Sequence, residues 1–178
     1  MKKIFLIFLF VLTSLSLFAQ DKKVYHAKIE GDIDLGLAPF VRRVITEAEK
    51  NGASAIIFEI NTFGGRVDAA TQIKDAILNA NVLTIAFINK RAISAGALIS
   101  ISCNKIAMAT GGSIGASTVV DQEGKKVSEK YQSYMRGEMR ATAEKNGRRT
   151  DIAEGMVDET IVVKGLDDAT KLITLTSE

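Results

Sequence analysis

The chain has one cysteine, one histidine, one proline and no tryptophan. A single cysteine forms no internal disulfide, and Cys103, in an apolar neighbourhood beside Ile101, reads as an inert core residue rather than a nucleophile. A single histidine, His26, cannot build a metal cluster, so neither a metal nor a cofactor is expected. Charge of one sign is lacking too: 23 Lys and Arg against 21 Asp and Glu leave a formal charge of +2, with the two signs interspersed. That balance argues against nucleic acid as the main partner, and the basic run at residues 145–149 reads as a solvated helix end. Beyond the amino terminus no apolar run is long enough to cross a bilayer.

The amino terminus is different. Met1-Lys2-Lys3 precedes an apolar stretch at residues 4–12, and a softer segment ends at Ala19-Gln20. A basic tip, an apolar core and a small residue before polar sequence are the parts of a secretory signal peptide, so residues 1–19 are expected to be a leader cut after Ala19, with an uncleaved anchor as the alternative. Either way the remainder is exported, to the periplasm or another extracytoplasmic face. No cysteine near the cut supports lipid attachment. Residues 20–178 are then one domain, large enough to bury a core.

Within that domain the elements alternate. Strands are expected at residues 24–30, 54–60, 82–88 and 105–109. Helices are expected at 37–50, opened near Asp34 with Pro39 in the first turn and Gly52 as the stop, and at 67–78, 95–102, 128–146 and 151–156. Residues 111–116 are too glycine-rich for either regular state, 121–126 form a charged loop or hairpin turn, and 160–163 and 172–176 read as closing strands. Apolar strands alternating with helices imply an α/β fold with a largely parallel sheet flanked by helices. In such sheets the functional crevice lies beyond the carboxyl ends of the strands.

Two turns fall at that end. Ala92-Ile93-Ser94-Ala95-Gly96 follows a strand and opens a helix, one residue short of the Gly-x-Ser-x-Gly nucleophile elbow, although Ser94 could equally be a simple helix cap. Asn61-Thr62-Phe63-Gly64-Gly65-Arg66 makes the same strand-to-helix transition, and the two can face each other. No Gly-Lys-Ser/Thr follows Gly64-Gly65, so a phosphate loop is disfavoured. An activated serine needs a base, which is either His26 or a lysine kept neutral by desolvation. Lys130 stands one helical turn from Tyr134, leaning toward the apolar side formed with Tyr131, Met135 and Met139, where burial could change its chemistry. Gly65 and the N–H of Ala95 fit an oxyanion hole.

Four stretches in order carry a resemblance: residues 61–65, 92–97 and 112–116, then Lys130 in a helix closing at Asn146-Gly147-Arg148. Together they resemble the ClpP-class serine protease domain of the NfeD membrane-protease family, from about Val24 onward. The resemblance implies a ClpP/crotonase-like fold, Ser94 as nucleophile, Lys130 as general base, and Gly65 with Ala95 as oxyanion donors. It also implies a homodimeric endopeptidase that cuts apolar segments of stomatin-like membrane proteins. Gly64 and the loop Gly112-Ser113-Ile114-Gly115 would border an extended substrate peptide. Phe63 departs from the family, which usually has proline there, and the long family members continue into transmembrane helices and a small β domain past the point where this sequence ends at Glu178. Two rival readings share the fold: a non-catalytic scaffold that binds membrane-protein partners, and a crotonase-like acyl-CoA enzyme that would not need Ser94.

Overall fold

The computed structural model describes residues 22–166 and 171–177; the leader expected at residues 1–19 lies outside them. In chain order the elements are β1 (Val24–Ile33), α1 (Leu37–Lys50), β2 (Ala55–Gly65), α2 (Val67–Leu78), β3 (Leu83–Ile93), α3 (Ala95–Ser102), β4 (Lys105–Met108), β5 (Ser113–Gly115), α4 (Glu129–Lys145), α5 (Thr150–Gly155) and β6 (Thr174–Thr176). The sheet runs β1-β2-β3-β5-β6, with β4 paired along the middle of β3 and β5 along its end. Every pairing is parallel except β5 with β6. This is the mostly parallel α/β sheet that the sequence implies.

The core explains the order. Ile29, Phe58, Ile60, Ala86 and Ile88 are fully buried on one face of the sheet, against Val41, Ile73 and Leu98 of the helices. The apolar runs suggest strands covered on both faces, yet burial alternates along β2 and β3. The second face is only half covered and carries polar groups: Glu59 accepts from Asn89 Nδ2 at 2.7 Å and lies 2.8 Å from His26 Nε2. Asn89, with a further contribution from His26, holds the Glu59 carboxyl below its ordinary pKa against the opposing effect of burial.

Helix boundaries follow local chemistry. Asp34 Oδ1 accepts from the N–H groups of Gly36 and Leu37 at the start of α1, and Gly52 and Gly147 follow α1 and α4 with φ near +63° and +64°, left-handed stops that favour glycine. The basic run does more than meet solvent: Arg148 donates to the carbonyls of Ile101 and Cys103, closing the carboxyl end of α3. Three expectations need correction. Residues 113–115 are a strand, because β3 and β6 offer partners on either side of it; residues 160–163 form no strand; and at 172–176 only the last three residues pair.

Cys103 is fully buried, and burial pushes its thiol up to about 12. A thiol-directed disulfide reagent at neutral pH should therefore leave the native protein unmodified and react once it is denatured. The sign for stability follows: the unfolded thiol ionises near its ordinary value while the folded one stays protonated, so stability falls as pH rises from about 9 toward 12. Rapid labelling of the native protein would show that this region opens.

Candidate active site

β3 ends at Ile93, α3 begins at Ala95, and the residue between them turns sharply. Ser94 has φ 56° and ψ −118°, a conformation that costs a non-glycine residue about 1–3 kcal/mol and persists only where its surroundings hold it. They do so on both sides. The Ser94 N–H donates to the Gly115 carbonyl at 3.0 Å, while its carbonyl accepts from Ala97 N–H at 2.9 Å and from Ser117 Oγ at 3.3 Å. As in a nucleophile elbow, the hydroxyl is lifted off the end of the sheet. Its own polar atom, Oγ, has no hydrogen-bond partner among the described residues.

The end of β2 lies directly against it. A Cβ built on Gly64 would sit 2.8 Å from Ser94 Cβ and 3.2 Å from Oγ, so this position is glycine by necessity. The Gly64 N–H donates to Thr62 Oγ1 at 2.9 Å, and that buried hydroxyl donates in turn to the Gly31 carbonyl of β1. Arg66 N–H donates to the Ile33 carbonyl, also on β1. Gly65, between them, pairs with Ile33 of β1 and lines the same cleft as Ser94. Ala95 opens α3, where an N–H has no acceptor within the helix. The structure thus gathers Ser94, Gly64, Gly65 and Ala95 at the carboxyl ends of β2 and β3. Phe63, in the proline position, is 72% exposed, with the Arg91 guanidinium 4.4 Å from its ring centroid.

Ser94 and Gly65 line a cleft whose opposite wall is residues 118–122. This differs from the expected substrate rim. Both backbone edges of Ser113, Ile114 and Gly115 are taken, by β3 and by β6, and Gly112 packs on the carbonyls of Ala109 and Ile88. The free edge comes later. The N–H groups of Ser117, Val119 and Asp121 are bonded inward, to Met156, Gln132 and Lys125. Those of Thr118 and Val120, and their carbonyls, have no partner among the described residues. They belong to the wall facing Ser94.

Lys130 is not brought to Ser94. It is exposed in the first turn of α4, beside Tyr131 and Tyr134, which are 57% and 47% exposed, and no hydrogen bond joins it to Ser94. The expected burial of this lysine is not found: Met135 and Met139 point into the core while Lys130 and the two tyrosines line a separate groove between α2 and α4. Groove and cleft share Arg66, Val67 and Val119 as lining residues. The lysine the fold does bury is Lys74, 2.6 Å from Glu138 and 2.9 Å from Asp75. Burial alone would lower its pKa, but the two carboxylates outweigh that and raise it, so Lys74 stays charged and is no base. His26 stands where β1 pairs with Ile57, whereas the same strand reaches Gly65 only at Ile33, roughly 20 Å further on at about 3.3 Å per residue. An imidazole base from this chain is thereby excluded.

Comparison with known proteins shows the fold and the family. The chain is 39% identical over 160 residues to the membrane protein NfeD1b of Bacillus subtilis (strain 168), an alignment covering 89% of this chain and 37% of the relative. It is 34% identical over 142 residues to the membrane-bound protease PH1510 of Pyrococcus horikoshii, covering 75% of this chain and 32% of the relative. The chain therefore spans about a third of the length of these curated relatives. Among solved structures, a serine-to-alanine mutant of the 1510-N membrane-bound stomatin-specific protease superposes with TM-score 0.76 at 30% identity, over 88% of this chain and 74% of that one. A lysine-to-alanine mutant of the same protease, in complex with a substrate peptide, gives 0.75 at 31%, over 88% and 70%. ClpP1 from Listeria monocytogenes, at 19% identity and TM-score 0.57 over 85% and 82%, shares the fold. Residues 23–178 match the family model described as the NfeD1b N-terminal domain, and the chain belongs to that family.

Proposed function

We propose that this chain is an exported, membrane-associated serine endopeptidase that cuts apolar segments of stomatin-like proteins and works as a homodimer. Ser94 is the nucleophile, Lys130 the base, and Gly65 and Ala95 the oxyanion donors. The observation that carries the reading is the Ser94 turn, held in a costly conformation with Gly64 pressed against it and Gly65 lining the same cleft. The solved relatives support it: one carries a serine-to-alanine change, and the other a lysine-to-alanine change with a substrate peptide bound.

The steps follow from that assignment. An extended peptide pairs with the main chain of Thr118 and Val120, laying its scissile carbonyl over Ser94. The lysine reaches across the wall shared by groove and cleft as the peptide seats. Neutral Nζ takes the proton from Oγ as Oγ attacks the carbonyl carbon, and the N–H groups of Gly65 and Ala95 stabilise the oxyanion. The lysine ammonium then gives its proton to the leaving amine as the C–N bond breaks; the lysine, neutral again, takes a proton from water as the water attacks the acyl carbon, and returns it to Ser94 Oγ as the acid leaves.

A fluorophosphonate probe tests this directly: Ser94 should be labelled in the parent protein and not in the Ser94→Ala variant. The exposed position of Lys130 favours one other reading, a scaffold that keeps the fold and binds membrane partners without cutting them. An unlabelled parent would establish that alternative.

A further inference from the structure

Gln132, in the first turn of α4, is 1% exposed, and its side chain is turned wholly on one loop. Its Oε1 accepts from the Val119 N–H at 3.1 Å, while its Nε2 donates to the carbonyl of Val119 at 2.7 Å and to that of Val127 at 3.3 Å. For Val119 the amide does the work of a neighbouring strand, meeting donor and acceptor of one residue together. It also ties the two arms of a small hairpin, whose own bonds are Val127 N–H to the Val119 carbonyl and Asp121 N–H to the Lys125 carbonyl. With Val119 pinned inward, strand alternation turns the main-chain groups of Thr118 and Val120 outward, and these are the unpartnered groups facing the cleft.

We infer that Gln132 is a positioning residue that holds residues 118–120 extended and so sets the register in which a peptide pairs with the cleft wall. Gln132 touches neither Ser94 nor a reacting atom, and it acts only through Val119. The inference rests on the peptidase reading for the identity of the ligand as an extended peptide. It does not require that the peptide be cut.

The test uses binding rather than turnover. In the Ser94→Ala background, the affinity for a fluorescein-labelled, end-capped decapeptide of leucine, valine and alanine is measured with Gln132 intact, as Gln132→Met, and as Gln132→Asn. Methionine keeps the length and removes every hydrogen bond; asparagine keeps the amide but shortens its reach. We expect the methionine variant to lose about tenfold or more in affinity and the asparagine variant less. With Ser94 present, fluorophosphonate labelling, which needs no strand pairing, should stay within about threefold of the parent, and KM for a peptide should rise more than kcat falls. Unchanged peptide affinity in both variants would overturn the inference, as would labelling that falls in step with affinity. If the methionine variant does not fold, the asparagine variant decides; if neither folds, Gln132 holds the core and the inference falls. A parent that binds peptide but takes no fluorophosphonate would sink the peptidase reading and leave this one standing.

Discussion

Replacing Lys130 by alanine should lower peptide cleavage by about four orders of magnitude while leaving the fold and the melting temperature unchanged. Ser94→Ala should do the same, and the double variant should be no worse than either single one, because nucleophile and base act as a unit. The stability half of the prediction comes from exposure: Lys130 has no buried contacts to lose, and a surface substitution of this kind ordinarily moves stability by less than about 0.5 kcal/mol. The catalytic half comes from elimination. His26 lies a strand's length away, and Lys74 is held charged by Glu138 and Asp75, so neither can take the serine proton. His26→Ala should accordingly leave the rate within about twofold of the parent, since its bond to Glu59 is on the half-covered face of the sheet. Cleavage that survives Lys130→Ala would remove this lysine from the chemistry and require a different base for Ser94.

The exposure of Lys130 is also where sequence reasoning reached its limit. Spacing along α4 places Met135 and Met139 correctly, since both are buried. Extending the same stripe to Tyr131 and Tyr134 fails, because α4 packs on α3 and α5, and its first turns face only an open groove shared with Val119, Val127 and α2. Periodicity reports which side of a helix is apolar, and not how far the neighbouring layer extends. The sheet was legible for the opposite reason: β2 and β3 are rich in Ile, Phe and Ala, β1 alternates apolar with polar residues, and helical patterns separate the three, so local preference and packing agree. The strand at Ser113–Gly115 was not legible, since glycine content argues against a strand and only the partners on both sides impose one. The hidden role of Gln132 left no sequence signal; a glutamine at an ordinary helix position says nothing about a loop it will meet thirteen residues back.

The largest effect after the proposed dyad should come from the two glycines at the end of β2, and they should fail differently. At Gly64, φ is +118°, and an added methyl would press on Ser94 Cβ at 2.8 Å. The obstacle is the side chain of the nucleophile itself, at the edge of an open cleft, so the easiest relief is a shift of the Ser94 turn. At Gly65, φ is +153°, and the methyl would meet the Ile33 carbonyl oxygen at 2.3 Å and its nitrogen at 2.6 Å. Both are main-chain atoms of β1, held in register with β2 and unable to yield without breaking the pairing. Gly64→Ala should therefore lower kcat/KM by about 10²–10³ through a misplaced nucleophile, at a stability cost of about 1–3 kcal/mol. Gly65→Ala should cost more stability than Gly64→Ala, because the clash is with main chain, and, with Gly65 as the proposed donor, should lower kcat by at least as much, because that donor moves away from the oxyanion. Thermal melts and steady-state kinetics on the two variants separate these outcomes. If Gly65→Ala proved the more stable and more active of the pair, Gly65 would not be the oxyanion donor, and the hole would have to be built from Ala95 and a different neighbour.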